Sequence, residues 1–383
     1  MPELFRIEHA HDRPLFTPGP VTTSRTVKQA MLRDVHPADP EFVEIVQNVR
    51  RQLLESAGVS SGQGFECVLV PGTAASTLET VIGSVVPGAG KILVVLNGAD
   101  GERLAQIAAG LKIRTNLLKM SDQRLPDLTE IDRTLTEDRA ITHVAVAHCD
   151  TTSGILNPID GIGMLARRHH KAFIVDANAT LFGIPIDLHS CSADFVVCSS
   201  GQCLESVPGI GLVIGLRESL EAVLGSARSH HCDLHAQWKA LQNGGPLRSA
   251  LPSQAMLALA KALEELAAEG GVPARADRYR NNYQTLLSNM RAMGFTEYLD
   301  SELQSTIVTA FHGLDCPGFD FQDFHTLLFE KGFVLSPWIS SREGLIRIGT
   351  IGRILSSDVR SLLDAIWATL QEMKAPLESP SMV

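Results

Sequence analysis

Short β-branched runs that end on a polar or small residue recur along this chain, each followed by a stretch of helical character. They are "CVLVPG" from Cys67, "KILVVLNG" from Lys91, "THVAVAHCD" from Thr142, "AFIVDAN" from Ala172, "DFVVCSS" from Asp194 and "GLVIG" from Gly211. Runs this apolar, too short for helices and closed by Gly, Asn, Asp or Ser, read as strands buried on both faces. Strands alternating with helices imply a largely parallel sheet whose chemistry lies at the carboxyl ends of its strands. "DFVVCSS" and "GIGLVIG" are joined too closely for a crossover helix, so that pair is expected to be antiparallel.

The chain has 383 residues, too many for one simple core, which implies a large and a smaller domain. A change of character follows "GGPLRSALPSQ": a long helical stretch from Met256 to about Met293 leads into a tail of mixed helix and strand. The expected division is a large domain over 15–275, a small α+β domain over 276–374, and flexible ends at 1–14 and 375–383. A net charge of −10 excludes a nucleic-acid or anionic-membrane surface as the expected partner. No apolar run reaches membrane-spanning length, and seven cysteines without a C-x-x-C pair suit reduced thiols, so a cytoplasmic setting is expected.

Four strand tips carry the polar residues. "PGTAAS" (Pro71 to Ser76) is a small-residue loop opening a helix, suited to anions because first-turn N–H groups point outward. His148, Cys149 and Asp150 end another strand, Asp176 ends a third, and "SSGQC" places Gln202 at the fourth. Outside these tips, "RSHHCDLHAQW" gathers His230, His231, Cys232 and His235. His231 and His235 are four apart, a spacing that puts two ligands on one face if the segment is helical, so a metal site is expected there. The alternative is a His-rich surface turn.

Taken in order, these tips resemble the class V aminotransferases of the fold-type I pyridoxal-phosphate (PLP) superfamily, most closely the branch that acts on aminophosphonates. The resemblance runs over nearly the whole chain, through "LFTPGPVTTSRTVKQAM", "LNPIDGIG", "IVDA", "VPG", "LAKALEELAAEGGV" and "IRIGTIG". It implies an α/β fold-type I architecture, with a mainly parallel seven-stranded sheet plus a smaller α+β C-terminal domain, and a homodimer. It also implies that Gly72, Thr73, Ala74, Asp176 and Asn178 bind the cofactor, that Thr17 and Arg347 bind substrate, and that His148 lies near the cofactor ring.

The departures from the family are concentrated in the same tips. Gln202 falls where the family has its Schiff-base lysine. A carboxamide neither condenses with an aldehyde nor carries a proton near neutral pH, which removes the internal aldimine and the proton shuttle. Ala74 and Ala75 replace phosphate-loop residues, Asp100 replaces an aromatic ring, Cys149 a serine and Ala250 a threonine. On these grounds PLP is expected at most non-covalently, with a transition metal as the other cofactor. The main expectation is a repurposed homologue that binds a small phosphonate, amino acid or 2-oxo acid in the old cleft without standard transamination. Two alternatives stand beside it: a non-catalytic binding or regulatory homodimer, and an aminophosphonate transaminase whose lysine-to-glutamine change traps the cofactor adduct.

Overall fold

The structure, a computed structural model, describes residues 12–243, 249–336 and 344–374. The two ends expected to be flexible lie largely outside the described residues. A seven-stranded sheet forms the centre: β1 (Phe65–Gly72), β2 (Lys91–Leu96), β3 (Arg114–Lys119), β4 (His143–Ala147), β5 (Ala172–Asp176), β6 (Phe195–Ser199) and β7 (Gly209–Leu216). Their spatial order is β1-β7-β6-β5-β4-β2-β3. All neighbours are parallel except β7, which runs antiparallel to both β1 and β6. The expected antiparallel pair is present, with Leu212 opposite Cys198 and Val213 opposite Val197. Every residue of β4 and β6 is buried, as strands covered by helices on both faces must be.

Because the sheet is parallel, the ends of β1, β4, β5 and β6 and the start of β7 share one edge. Helix α1 (Ala74–Val85) starts one residue after β1, and helix α2 (Ala99–Gly110) starts shortly after β2. Gly72 makes the first of these turns at φ 137°, where a Cβ would lie 2.2 Å from Ser76 Oγ. The long helical stretch is two helices, Ser253–Glu269 and Gly271–Ala292, broken at Gly270 with φ 109°. A second apolar cluster, including Phe16, Leu286, Phe311, Ile346 and Ile366, packs helix Ser356–Glu372 against a three-stranded sheet that contains Val308–His312 and Leu345–Gly349.

A buried ionic network clamps the loop after β6 to helix Gly271–Ala292. Glu205 Oε1 accepts from Arg278 Nη2 at 2.6 Å and from the Tyr279 hydroxyl at 2.7 Å, while Arg275 Nη1 donates to the Cys203 carbonyl at 2.8 Å. The Glu205 N–H in turn donates to the Gln202 carbonyl at 2.8 Å. This fixes the backbone that presents Gln202.

Candidate active site

The strand tips enclose a cavity of about 470 Å³. Thr73, Ala74 and Ala75 bound it from β1 and α1, Asp176 and Asn178 from β5, and Ser199 and Gln202 from β6. An N-terminal strap, Pro18 to Pro20, closes one wall. Gln202 ties that strap to the sheet: its Nε2 donates to the Pro18 carbonyl at 3.1 Å and its Oε1 accepts from Ser199 Oγ at 3.4 Å. No lysine is among the described residues lining this cavity.

A second cavity of about 480 Å³ lies beside the first, sharing Pro18, Gly19, Pro20, Arg103 and Thr151 with it. Thr17, Arg347 and Ser336 line this outer space. The structure therefore brings Thr73, Ala74, Asp176, Asn178 and Gln202 to the inner cavity and sets Thr17 and Arg347 at the outer one. His148 is buried beneath the tip and does not line either cavity; its Nδ1 meets Thr180 Oγ1 at 2.9 Å and its N–H donates to the Asp176 carbonyl at 2.8 Å. Burial holds its imidazole down to about 4, so it is neutral near pH 7. Burial likewise pushes the Cys149 thiol far above its ordinary range, which leaves it inert as a nucleophile.

Asp176 is the electrostatic centre of the inner cavity. Burial, with a smaller contribution from the Asp100 charge, lifts its carboxyl from 3.8 to about 6. Its Oδ1 accepts the Asn178 N–H at 3.0 Å and Asn178 Nδ2 at 2.6 Å. Asn178 Oδ1, also buried, has no hydrogen-bond partner among the described residues. A buried carboxyl beside an unsatisfied acceptor suits a ligand that brings a donor, above all a cationic one.

Two helix N-termini face this edge, and they differ. The first turn of α2 is capped from the neighbouring loop: the Ala99 N–H donates to Thr152 Oγ1 at 3.1 Å and the Asp100 N–H to Asp150 Oδ2 at 2.9 Å. Gly98 permits this approach, since a Cβ there would lie 2.2 Å from Asp150 Oδ1. The α1 terminus keeps its own capping box, the Thr73 N–H donating to Ser76 Oγ at 2.7 Å, while Ala74 and Ala75 at its first two positions line the cavity and carry no side chain that would compete for an anion. Asp100 does not point a lone charge at that region. Its Oδ1 accepts from Arg103 Nη1 at 2.6 Å, and its Oδ2 from the N–H and the hydroxyl of Thr151, both at 2.7 Å.

The model of the aminotransferase class-V family matches residues 22–336. The chain belongs to the class V aminotransferase family. The 2-aminoethylphosphonate–pyruvate transaminase of Salmonella heidelberg (strain SL476) is 41% identical over 362 residues, which cover 94% of this chain and 98% of that protein. The protein of the same description from Klebsiella pneumoniae is 42% identical over 354 residues, 92% of this chain and 96% of the relative. Among solved structures, ureidoglycine–glyoxylate aminotransferase from Bacillus subtilis superposes with a TM-score of 0.90 at 22% identity, over 98% of this chain and 97% of its own. Pyridoxamine–pyruvate aminotransferase from Mesorhizobium loti gives 0.87 at 22% identity, over 98% and 95%. At that identity the likeness establishes the α/β aminotransferase fold.

Membership of this family, with transaminases above 40% identity along nearly the full chain, points to PLP as the cofactor. It overturns the expectation that PLP is retained at most non-covalently with a transition metal as the other cofactor. The metal expectation also fails on geometry. Helix Leu234–Asn243 begins after His231, so His231 and His235 do not share a helical face. His231 contacts Ser249 Oγ through Nδ1 at 3.4 Å, and His235 packs edge-on against Trp238 with ring centres 5.7 Å apart. His230 is exposed and Cys232 half-buried, and no group of three His, Cys, Asp or Glu side chains able to hold a metal ion occurs among the described residues.

The inner cavity fits PLP. Asp176 would face the ring nitrogen, Asn178 Oδ1, without a hydrogen-bond partner among the described residues, lies beside it, and the α1 N-terminus would take the phosphate. Sequence reasoning missed three contributors: the Pro18–Pro20 strap, Arg103 and Ser336. The strap reaches Gln202 across 184 residues, a separation that leaves no local signal. The arginine three residues after Asp100, in the first turn of a helix at a strand tip, was the available sign for Arg103.

Proposed function

We propose that this protein binds PLP in the inner cavity and a 2-aminoethylphosphonate-type amino donor, or a 2-oxo acid acceptor, in the outer one, and that its turnover is restricted by Gln202. The observation that carries this reading is the pair of adjoining cavities, one ending on the buried Asp176 and the other on Arg347. The transaminase relatives supply the substrate class. PLP, when bound, supplies an electron-withdrawing ring and an aldehyde. The chain's own residues hold the two ligands side by side: Asp176 against the ring, the α1 N–H groups on the phosphate, and Arg347 on the acidic group of the donor.

Gln202 occupies the place we assign to the family's lysine. Its amide offers no amine to an aldehyde and moves no proton near neutral pH. The expected behaviour is retention of cofactor and donor with turnover far below that of the transaminase relatives, the third of the readings made from sequence. A homodimer in a cytoplasmic setting accompanies this proposal.

Equilibrium dialysis of the purified chain against PLP tests it. About one PLP retained per chain, with affinity about tenfold lower for Asp176→Ala, is expected. No retention at millimolar PLP, or retention that Asp176→Ala leaves unchanged, would refute the assignment.

A further inference from the structure

The outer cavity holds two guanidinium groups. Arg347 follows from family position; Arg103 does not, and it borders both cavities. We propose that Arg103, set in place by Asp100, is a second anion-binding group, and that the pair makes the outer cavity selective for a phosphonate over a carboxylate. This rests on the reading above, that a small acidic ligand occupies this space.

One carboxylate fixes both arginines. Asp100 Oδ1 accepts from Arg103 Nη1 at 2.6 Å, and Oδ2 accepts from the N–H and hydroxyl of Thr151 at 2.7 Å each. The Thr151 carbonyl then accepts from Arg347 Nη1 at 3.2 Å. Asp100 is itself anchored through its N–H to Asp150 Oδ2 at 2.9 Å. Arg103 uses Nη1 on Asp100, and its Nε and Nη2 make no further hydrogen bond among the described residues. Ser336 Oγ adds a buried hydroxyl, on a residue only 5% exposed, that also lacks a partner among the described residues.

Donor number, rather than net charge, sets the preference. Asp100 and Asp150 together offset the charge of the two arginines, so the cavity is not strongly cationic. The two oxygens of a carboxylate are satisfied by one guanidinium fork. A phosphonate has three oxygens in a tetrahedral array, enough to accept from Arg347, Arg103 and the Ser336 hydroxyl at once. Asp100 is thus a positioning residue, and Arg103 a residue that touches the ligand.

Calorimetric titration of the full chain with 2-aminoethylphosphonate, and with 3-aminopropanoate as its carboxylate counterpart, separates the possibilities. Arg103→Met is expected to weaken the phosphonate about tenfold to a hundredfold and the carboxylate by less than about threefold. Asp100→Asn should lower the same phosphonate-to-carboxylate ratio, and Arg103→Lys should restore only part of it. The Arg103 side chain is 43% exposed, so Arg103→Met is expected to fold, and Arg103→Lys provides a second variant should it not. Equal losses for the two ligands, or unchanged phosphonate affinity in Arg103→Met, would overturn the assignment of Arg103 while leaving the proposed function intact. Failure of the unmutated chain to bind either ligand would remove the proposed function and this inference with it.

Discussion

Replacing Asp176 by asparagine is expected to make the protein increasingly more stable than the native chain as pH rises from 4 to 7. The Asp176 carboxyl is buried, and burial first, then the Asp100 charge, lifts it from 3.8 to about 6. Between those values the folded protein keeps a proton that the unfolded chain has lost. The native state then binds more protons, so its stability falls as pH rises through this window and stays lower above it. At about 1.4 kcal/mol per pH unit the displacement corresponds to roughly 3 kcal/mol. Asparagine has no proton to lose, and the slope disappears. His143 and His148, both held down to about 4 by burial, contribute a slope of the opposite sign, rising with pH up to the ordinary histidine range. That contribution is common to both proteins and cancels in the difference. Urea unfolding of the native and Asp176→Asn chains at half-unit steps from pH 4 to 7.5 gives the quantity directly. A gap that widens by about 2–3 kcal/mol in favour of the variant is expected. A flat gap, or a native chain that gains on the variant with rising pH, would mean that Asp176 is ionised and stabilised in the fold, and the electrostatic picture of the inner cavity would be wrong.

Two further outcomes follow from the buried groups. Glu205→Ala should cost about 1–3 kcal/mol, because it removes the acceptor of the Arg278 guanidinium and the buried Tyr279 hydroxyl while Glu269 still pairs with Arg275 and Arg278, with denaturant midpoints as the check; a loss below about 0.5 kcal/mol would show this part of the network to be dispensable. Brief maleimide treatment at pH 7.5 followed by peptide mass analysis should label Cys232 and Cys316, which are partly exposed, and leave the buried Cys149, Cys198 and Cys203 unmodified.

The main sheet was largely legible because buried strands carry their signature locally. The β-branched runs at Cys67, Lys91, Ala172 and Asp194 each contain a strand, and the short Val207–Pro208–Gly209 connection fixes the antiparallel pair. Parallel topology carries the tips to one edge, so Thr73, Asp176 and Gln202 group together from the order of strands alone. Two errors had physical causes. The expected metal site needed His231 and His235 on one helical face, but the helix starts only at Leu234. Asp100 counted only as a carboxylate in place of an aromatic ring, whereas its oxygens are taken up by Arg103 and by Thr151, the latter 51 residues away. Hydrogen-bond partners separated by such distances are set by the fold and have no trace in spacing.

The most direct test of the whole account concerns residue 202. The native chain and Gln202→Lys are loaded with PLP, reduced with borohydride and digested, and the peptide spanning residue 202 is weighed. The account predicts a phosphopyridoxyl mass increase on that peptide in Gln202→Lys and none on that peptide in the native protein. A Gln202→Lys chain that retains PLP but stays unlabelled at residue 202, or a native chain that carries the label at residue 202, would contradict it.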